Sequence, residues 1–230
     1  MLPVLPVLPG AASTLVAGVV GSAARWTEAV RTPVSVHYET GDPVVPVACV
    51  ATPSAFRLPH SVVVADLPEG GAPFDLRVTR WWTPARPSSL PVPDSARWER
   101  FLDRRYDDLD PVTLVGRGAG LTPDGDDVLA GALVAGNATG HPALPRWRRA
   151  TVAALASRRT TAVSVGMLHS ALDGWAAPQL ADAVEALCGA GDPDAVVDRL
   201  LAVGHSSGRH LLDGVLHVLS SHPSSRRGAA

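Results

Sequence analysis

The chain has 230 residues, a formal net charge of −2 at pH 7, 46% hydrophobic residues and 18% charged residues. A chain of this length buries about 70% of its extended surface on folding, enough for one large domain or two small ones. This composition excludes a generally disordered chain. No uninterrupted apolar run reaches the roughly 18 residues of a membrane span, and the charge gives no sign of electrostatic binding to nucleic acid.

The sequence contains no lysine, so all 20 basic residues are arginine. Ordinary Walker A nucleotide-binding loops, Schiff-base enzymes and protein kinases each need a lysine and are therefore excluded. Cys49 and Cys188 are the two cysteines, too few for a cysteine-based zinc or iron–sulfur site. We expect two reduced core thiols. We also expect an untargeted, irregular start broken by Pro3, Pro6 and Pro9, and hence a cytoplasmic protein.

The first part of the chain has the pattern of short β-strands. Val34, Val36 and Tyr38 alternate with polar residues, and further strands are predicted at 44–50, 61–65 and 75–82. Their length and spacing predict a small antiparallel sheet or barrel in residues 1–83. A proline-rich stretch at 84–93 cannot belong to a helix or a central strand and is predicted to be a linker.

The remainder is predicted to be a helical domain at 94–220, followed by a flexible tail at 221–230. Apolar residues recur there at helical spacing, for example at Leu211, Val215 and Leu219. The fold class is therefore predicted to be α+β, with an N-terminal antiparallel β-rich domain followed by an all-helical C-terminal domain.

The most distinctive segment is GRGAGLTPDGDD at 116–127, which precedes an apolar helix. Its glycines permit tight turns and close approach of a ligand, and the free amides at the start of a helix can bind an anion. Asp126 and Asp127 could cap the helix or hold Mg²⁺ together with a ligand. The alternative is a purely structural turn followed by a capped helix.

Two later segments could contribute to the same chemistry. The segment RRTTAVS at 158–164 offers an arginine pair that could clamp a carboxylate or phosphate, and hydroxyls at a helix start. The segment GHSSG at 204–208 offers His205 as a general base or a hydrogen-bond donor. The alternatives are a capped helix after a solvated basic end, and a loop histidine bonded to a local carbonyl.

These three segments, in this order, resemble the AllH family, a subunit associated with oxamate carbamoyltransferase in allantoin degradation. The shared pattern is G-x-G-x-G-L-T-P-S/T-G-D-D, then T-T/N-x-x-S, then G-H-x-S-G. The resemblance extends more weakly into the β-rich half and covers most of residues 13–220. Asp124 departs from the pattern, because it replaces a small hydroxyl residue and adds negative charge near any bound phosphate.

The resemblance implies transfer of a carbamoyl group among oxalurate, carbamoyl phosphate, oxamate and phosphate, together with partner subunits. It implies catalytic roles for Asp126, Asp127 and His205, with Asp126 or Asp127 orienting an amino group or Mg²⁺. The implied substrate-binding residues are Gly118, Gly120, Thr122, Gly125, Arg159, Thr160, Thr161, Ser164, Ser207 and Gly208. A non-catalytic module that binds a small anion or ureido compound, or an assembly subunit, remains an alternative.

Overall fold

The structure is a computed structural model that describes residues 5–103, 108–157 and 159–223. A six-stranded sheet forms from the first part of the chain, and the rest is helical, which confirms the α+β class. The strands are β1 (Val7–Ser13), β2 (Thr27–Arg31), β3 (Ser35–Glu39), β4 (Val47–Ala51), β5 (Ser61–Val64) and β6 (Asp75–Trp82).

The sheet is mixed, whereas the sequence predicted an antiparallel one. Its strand order is β2-β3-β4-β5-β1-β6, with β1 parallel to β6 and β4 parallel to β5. The parallel β1–β6 pair exists because the first strand is inserted between β5 and β6, whereas β4 and β5 are consecutive strands that pair in parallel. Hairpin spacing along the chain cannot reveal such an insertion.

The prediction of an irregular start was wrong, because residues 7–13 form β1 inside the sheet. A proline is normally excluded from a central strand since it lacks the N–H that the ladder needs. Pro9 is tolerated here because β1 pairs with β5 only from Gly10 to Ala12, so Pro9 faces β6 alone.

The two faces of the sheet differ in polarity. Val36, Tyr38 and Val62 lie on one face, within an apolar cluster that includes Trp26 and Phe74. The alternate residues of β3, β4 and β5 include Ser35, His37, Cys49 and Ser61, which are also buried. The sheet therefore has an apolar core on one side and a buried polar face on the other.

Helix α2 is the centre of the helical part, and 13 of its 16 residues are buried. It packs chiefly against α7 and α4. The helices are α1 (Pro111–Leu114), α2 (Asp124–Thr139), α3 (Leu144–Ser157), α4 (Ala162–Leu172), α5 (Pro178–Leu187), α6 (Pro193–Leu201) and α7 (Ser207–Ser221).

The segment predicted as a linker lies against the helices. Ala85 forms a β-bridge with Ala176, and the Leu90 amide donates to the Ala138 carbonyl at 2.8 Å. The domain boundaries stay predictions. The predicted tail lies largely outside the described residues, although α7 continues to Ser221. Within the ranges described, no helix is long and apolar enough to cross a bilayer.

Two glycines allow α2 and α7 to meet backbone to backbone. A Cβ atom at Gly131 would lie 2.0 Å from the Leu211 carbonyl oxygen, and one at Gly214 would lie 2.0 Å from the Val128 carbonyl oxygen. Both positions are in helices, where glycine is otherwise unfavourable. The close contact of the two backbones therefore requires glycine at both positions.

We expect Gly131→Ala to destabilise the protein by about 1–3 kcal/mol, because the methyl group forces the two helices apart. Gly21→Ala is the control, since its Cβ would meet nothing within 4 Å. Urea unfolding of the two variants measures the difference. An equal stability for both would contradict the backbone contact.

Candidate functional site

The glycine-rich loop joins α1 to α2 and contains three glycines with positive φ: +72° at Gly116, +120° at Gly118 and +94° at Gly120. A Cβ at Gly116 would lie 2.5 Å from the Arg159 carbonyl oxygen, and one at Gly118 would lie 2.7 Å from the Asp124 amide nitrogen. The loop is thus folded tightly over the start of α2 and touches the second motif.

Asp126 fixes this arrangement from within the protein. It is fully buried, and its Oδ1 accepts a hydrogen bond from the Gly116 amide at 2.8 Å. Its Oδ2 accepts one from the Thr160 hydroxyl at 2.5 Å. The capping role predicted for Asp126 or Asp127 was wrong, because α2 begins at Asp124 after Pro123 and has no side-chain cap. Asp126 instead connects the glycine loop to the segment before α4.

Asp127 connects the glycine loop to the third motif. Its Oδ2 accepts a hydrogen bond from the Thr122 hydroxyl at 3.1 Å, and that hydroxyl lies 2.8 Å from the Ser207 hydroxyl. Its Oδ1 is buried and has no hydrogen-bond partner among the residues that the structure describes. Burial raises the pKa of Asp127 to about 7, although Ser207 and Thr122 oppose the shift. One oxygen of this buried carboxyl therefore has no hydrogen-bond donor among the described residues.

The second motif caps α4 and holds the loop from the other side. The Thr161 hydroxyl accepts a hydrogen bond from the Ser164 amide at 3.1 Å and donates one to the Leu121 carbonyl at 2.5 Å. The Ser164 hydroxyl is buried without a partner. Arg159 is exposed, and Arg158 lies outside the described residues. The capped helix expected as the alternative for this segment is present.

The third motif contributes Ser207 to the site, whereas His205 contacts neither aspartate in the described structure. His205 is exposed, and within the described chain its ring bonds no carbonyl. One residue separates it from Ser207, so their Cα atoms lie within about 7 Å. No direct contact between His205 and either carboxylate is present in the described structure.

Two of the predicted substrate-binding glycines serve helix packing. A Cβ at Gly125 would lie 2.2 Å from the Leu114 carbonyl oxygen, and one at Gly208 would lie 2.0 Å from the Leu200 carbonyl oxygen. Both glycines are buried. Their contacts explain why the motifs require glycine there without reference to a ligand.

The outer side of the loop carries unused hydrogen-bond donors. Gly118, Ala119 and Gly120 are exposed residues, and their amides donate to no atom of the described residues. The Gly125 amide at the start of α2 is not free, because it donates a hydrogen bond to the Arg117 carbonyl at 2.9 Å. Successive free amides favour an anion, whereas the three aspartates in the first turn of α2 favour a hydrogen-bond donor beside it.

A metal site at the aspartate pair finds little support in the donor set. No group of three or more His, Cys, Asp or Glu side chains in the described ranges could hold a metal ion. Both Asp126 oxygens already accept hydrogen bonds. A Mg²⁺ ion would therefore depend on Asp127 and on oxygens of the ligand.

One contact beside the loop was not predicted from the sequence. His210 Nδ1 lies 3.2 Å from Asp124 Oδ1, so α7 supplies a second side chain next to the start of α2. The spacing of Ser207 and His210 could have predicted this contact, because residues three apart share one face of a helix.

Part of the helical half of the chain matches a known family. Residues 114–219 match the model of the family described as oxamate carbamoyltransferase subunit AllH. Over these residues the chain is AllH-like. The match spans all three motifs and supports a carbamoyltransferase-related subunit. It begins at Leu114, so the weaker resemblance of the β-rich half stays a prediction. No solved structure matches the chain significantly.

We expect Asp126→Asn to destabilise the protein by about 2–3 kcal/mol, because the amide group would oppose a donor from Gly116 or Thr160. Asp124→Asn is the control, since the Asp124 side chain is 51% exposed. The free energy of unfolding in urea at pH 7 measures both. Equal values for the two variants would show that Asp126 does not fix the loop.

We expect Asp127→Asn to become more stable relative to the native chain as the pH rises. The folded-state pKa of Asp127 is raised from 3.8 to about 7, so the ionised carboxylate weakens folding increasingly between these values. Relative to the native chain, the variant should gain about 2–3 kcal/mol of unfolding free energy between pH 5 and pH 8. Urea unfolding at both pH values measures this. A pH-independent difference would show that Asp127 ionises normally.

Proposed function

We propose that the chain is a subunit of a carbamoyltransferase that binds a small carboxylate or phosphate, or a ureido compound, at the glycine-rich loop. The observation that carries this is the convergence of three separate motifs on the start of α2. There Asp126 bonds Gly116 and Thr160, and Asp127 lies beside Thr122 and Ser207.

The polarity of the loop favours a ligand with two different ends. The free amides of residues 118–120, with the exposed Arg117 and Arg159 close by, suit a carboxylate or phosphate. The unpartnered Oδ1 of Asp127 suits an N–H group. Oxamate and oxalurate, the compounds implied by the family name and motifs, carry a carboxylate at one end and an amide or ureido group at the other.

The reaction itself needs no covalent intermediate on the protein. In one direction the oxamate nitrogen bonds to the carbamoyl carbon of carbamoyl phosphate, the bond from that carbon to the phosphate oxygen breaks, and the nitrogen loses a proton. In this proposal Asp127 accepts the proton, because its pKa of about 7 suits proton exchange at neutral pH. His205, exposed two residues before Ser207, is a second candidate for proton exchange with solvent.

A non-catalytic binding or assembly subunit is the second candidate. One observation favours it: several polar groups of the motif already have hydrogen-bond partners within the fold. Asp126 accepts from Thr160 and from the backbone, and Thr161 bonds backbone atoms. Cytoplasmic localisation, protein partners and the choice between catalysis and binding alone stay predictions.

We expect calorimetric titration with oxalurate, oxamate, carbamoyl phosphate and phosphate to show binding of at least one compound. Arg159→Ala should weaken that binding by about tenfold, since it removes a charged donor beside the loop. The matched control is Arg80→Ala, an equal change of charge at an exposed position of β6. Equal losses in both variants would contradict a site at the loop.

Turnover then separates the two candidates. The chain, alone and with its co-purifying subunits, is supplied with oxalurate and phosphate, and carbamoyl phosphate is measured. Activity that falls in Asp127→Asn supports the transferase. Ligand binding without turnover in any combination supports a binding subunit. Failure of all four compounds to bind contradicts both the transferase and the binding subunit, and supports an assembly subunit.

A further inference from the structure

A polar layer separates the two hydrophobic cores of the protein. The apolar cluster of the sheet and that of the helices share no buried residue. Between them α4 packs against β2, β3 and β4, and the sheet face that it covers carries His37, Cys49 and Ser61. An interface between a helix and a sheet is ordinarily apolar, because burying polar groups costs free energy unless they are hydrogen-bonded.

Helix α4 and its C-cap present the complementary half of this layer. Gly166, His169, Ser170 and Asp173 stand at i, i+3, i+4 and i+7, the spacing of one helix face. In an ordinary packed helix these positions are apolar. Here they line a cavity of about 120 Å³, together with His60 and the 44–47 segment before and into β4.

The hydrogen bonds of Ser170 determine which nitrogen of His60 carries the proton. The Ser170 hydroxyl donates to the Gly166 carbonyl at 2.9 Å, and a hydroxyl has one proton to donate. In its 3.3 Å contact with His60 Nδ1, Ser170 therefore accepts, so Nδ1 carries the hydrogen. A neutral imidazole then has a bare lone pair on Nε2, which is buried and has no partner in the described structure.

Burial keeps the rings of this layer uncharged. It lowers the pKa of His60 to about 3 and also lowers the pKa of His169. Asp173 is exposed at the mouth of the cavity. The lining therefore offers hydrogen-bond acceptors on His60 and Asp173, and one ring N–H and one lone pair on His169.

A wider cavity of about 450 Å³ adjoins the first and shares Val44, His169 and Asp173 with it. It gives the inner space an opening to the surface between the loop at Val44 and helices α3 and α4. The inner volume is somewhat smaller than the roughly 150 Å³ that accommodates benzene. It therefore suits a group of about four or five non-hydrogen atoms.

We propose that this cavity between the sheet and α4 is a binding site, separate from the glycine-rich loop, for a small uncharged primary amide or ureido group. Such a group supplies two N–H donors for His60 and Asp173 and one carbonyl for the His169 ring. An ammonium ion fits less well, because the enclosed part of the lining is uncharged and burying a cation is costly.

The test uses the full chain and acetamide as the probe, followed by long-range ¹H–¹⁵N spectra of the histidine side chains. We expect saturable shifts of the His60 and His169 ring nitrogens at millimolar acetamide. N,N-dimethylacetamide, which has no N–H, and acetate should produce none. The free chain should also show His60 as the Nδ1–H tautomer.

Asp173→Ala should weaken acetamide binding by about tenfold, as loss of a charged acceptor implies. Asp198→Ala, an equal change at an exposed position of α6, should leave binding unchanged. The absence of saturable shifts up to about 100 mM acetamide, or equal affinity for dimethylacetamide, would overturn the proposal. So would equal losses in the two variants.

Discussion

The hydrogen bonds that Asp126 accepts are the constraint on which the helical half depends. A carboxylate buried to this extent is stable only where donors surround it, and here the donors come from Gly116 and Thr160, far apart in the chain. The carboxylate therefore holds the glycine loop in its left-handed conformation and sets the start of α4 against it. The order of the loop, and the position of every group at its surface, follows from that pair of bonds.

The adjacent residue shows how one turn of helix can contain two different carboxyl environments. Asp126 has a donor at each oxygen, whereas Asp127 has the Thr122 hydroxyl at one oxygen and, among the described residues, no donor at the other. The first is a structural anchor and the second a titrating group. In the function that we propose, the first aspartate holds the site and the second exchanges protons.

Local patterns predicted much of this fold, and long-range pairing accounts for what they missed. The β6 bounds agree with prediction, because the strand follows from residues next to each other in sequence. The place of β1 depends on Asp75–Trp82, some 70 residues later, and no local pattern contains that information. Likewise, the glycines and aspartates of the motif were evident as candidates. Their partners were not, because hydrogen bonds between segments are set by tertiary packing.

The position of β1 also governs how the protein is made. Its neighbours β5 and β6 are synthesised after it, so β1 cannot pair with β5 until residue 64 has been synthesised, or with β6 until residue 82 has been. Pairing of ends so distant in sequence closes a long loop, which slows folding. Until that closure, β5 presents an unprotected edge with three consecutive valines at 62–64, the kind of edge on which nascent chains associate. The sheet is therefore the part of this molecule that stands to gain most from a chaperone during translation.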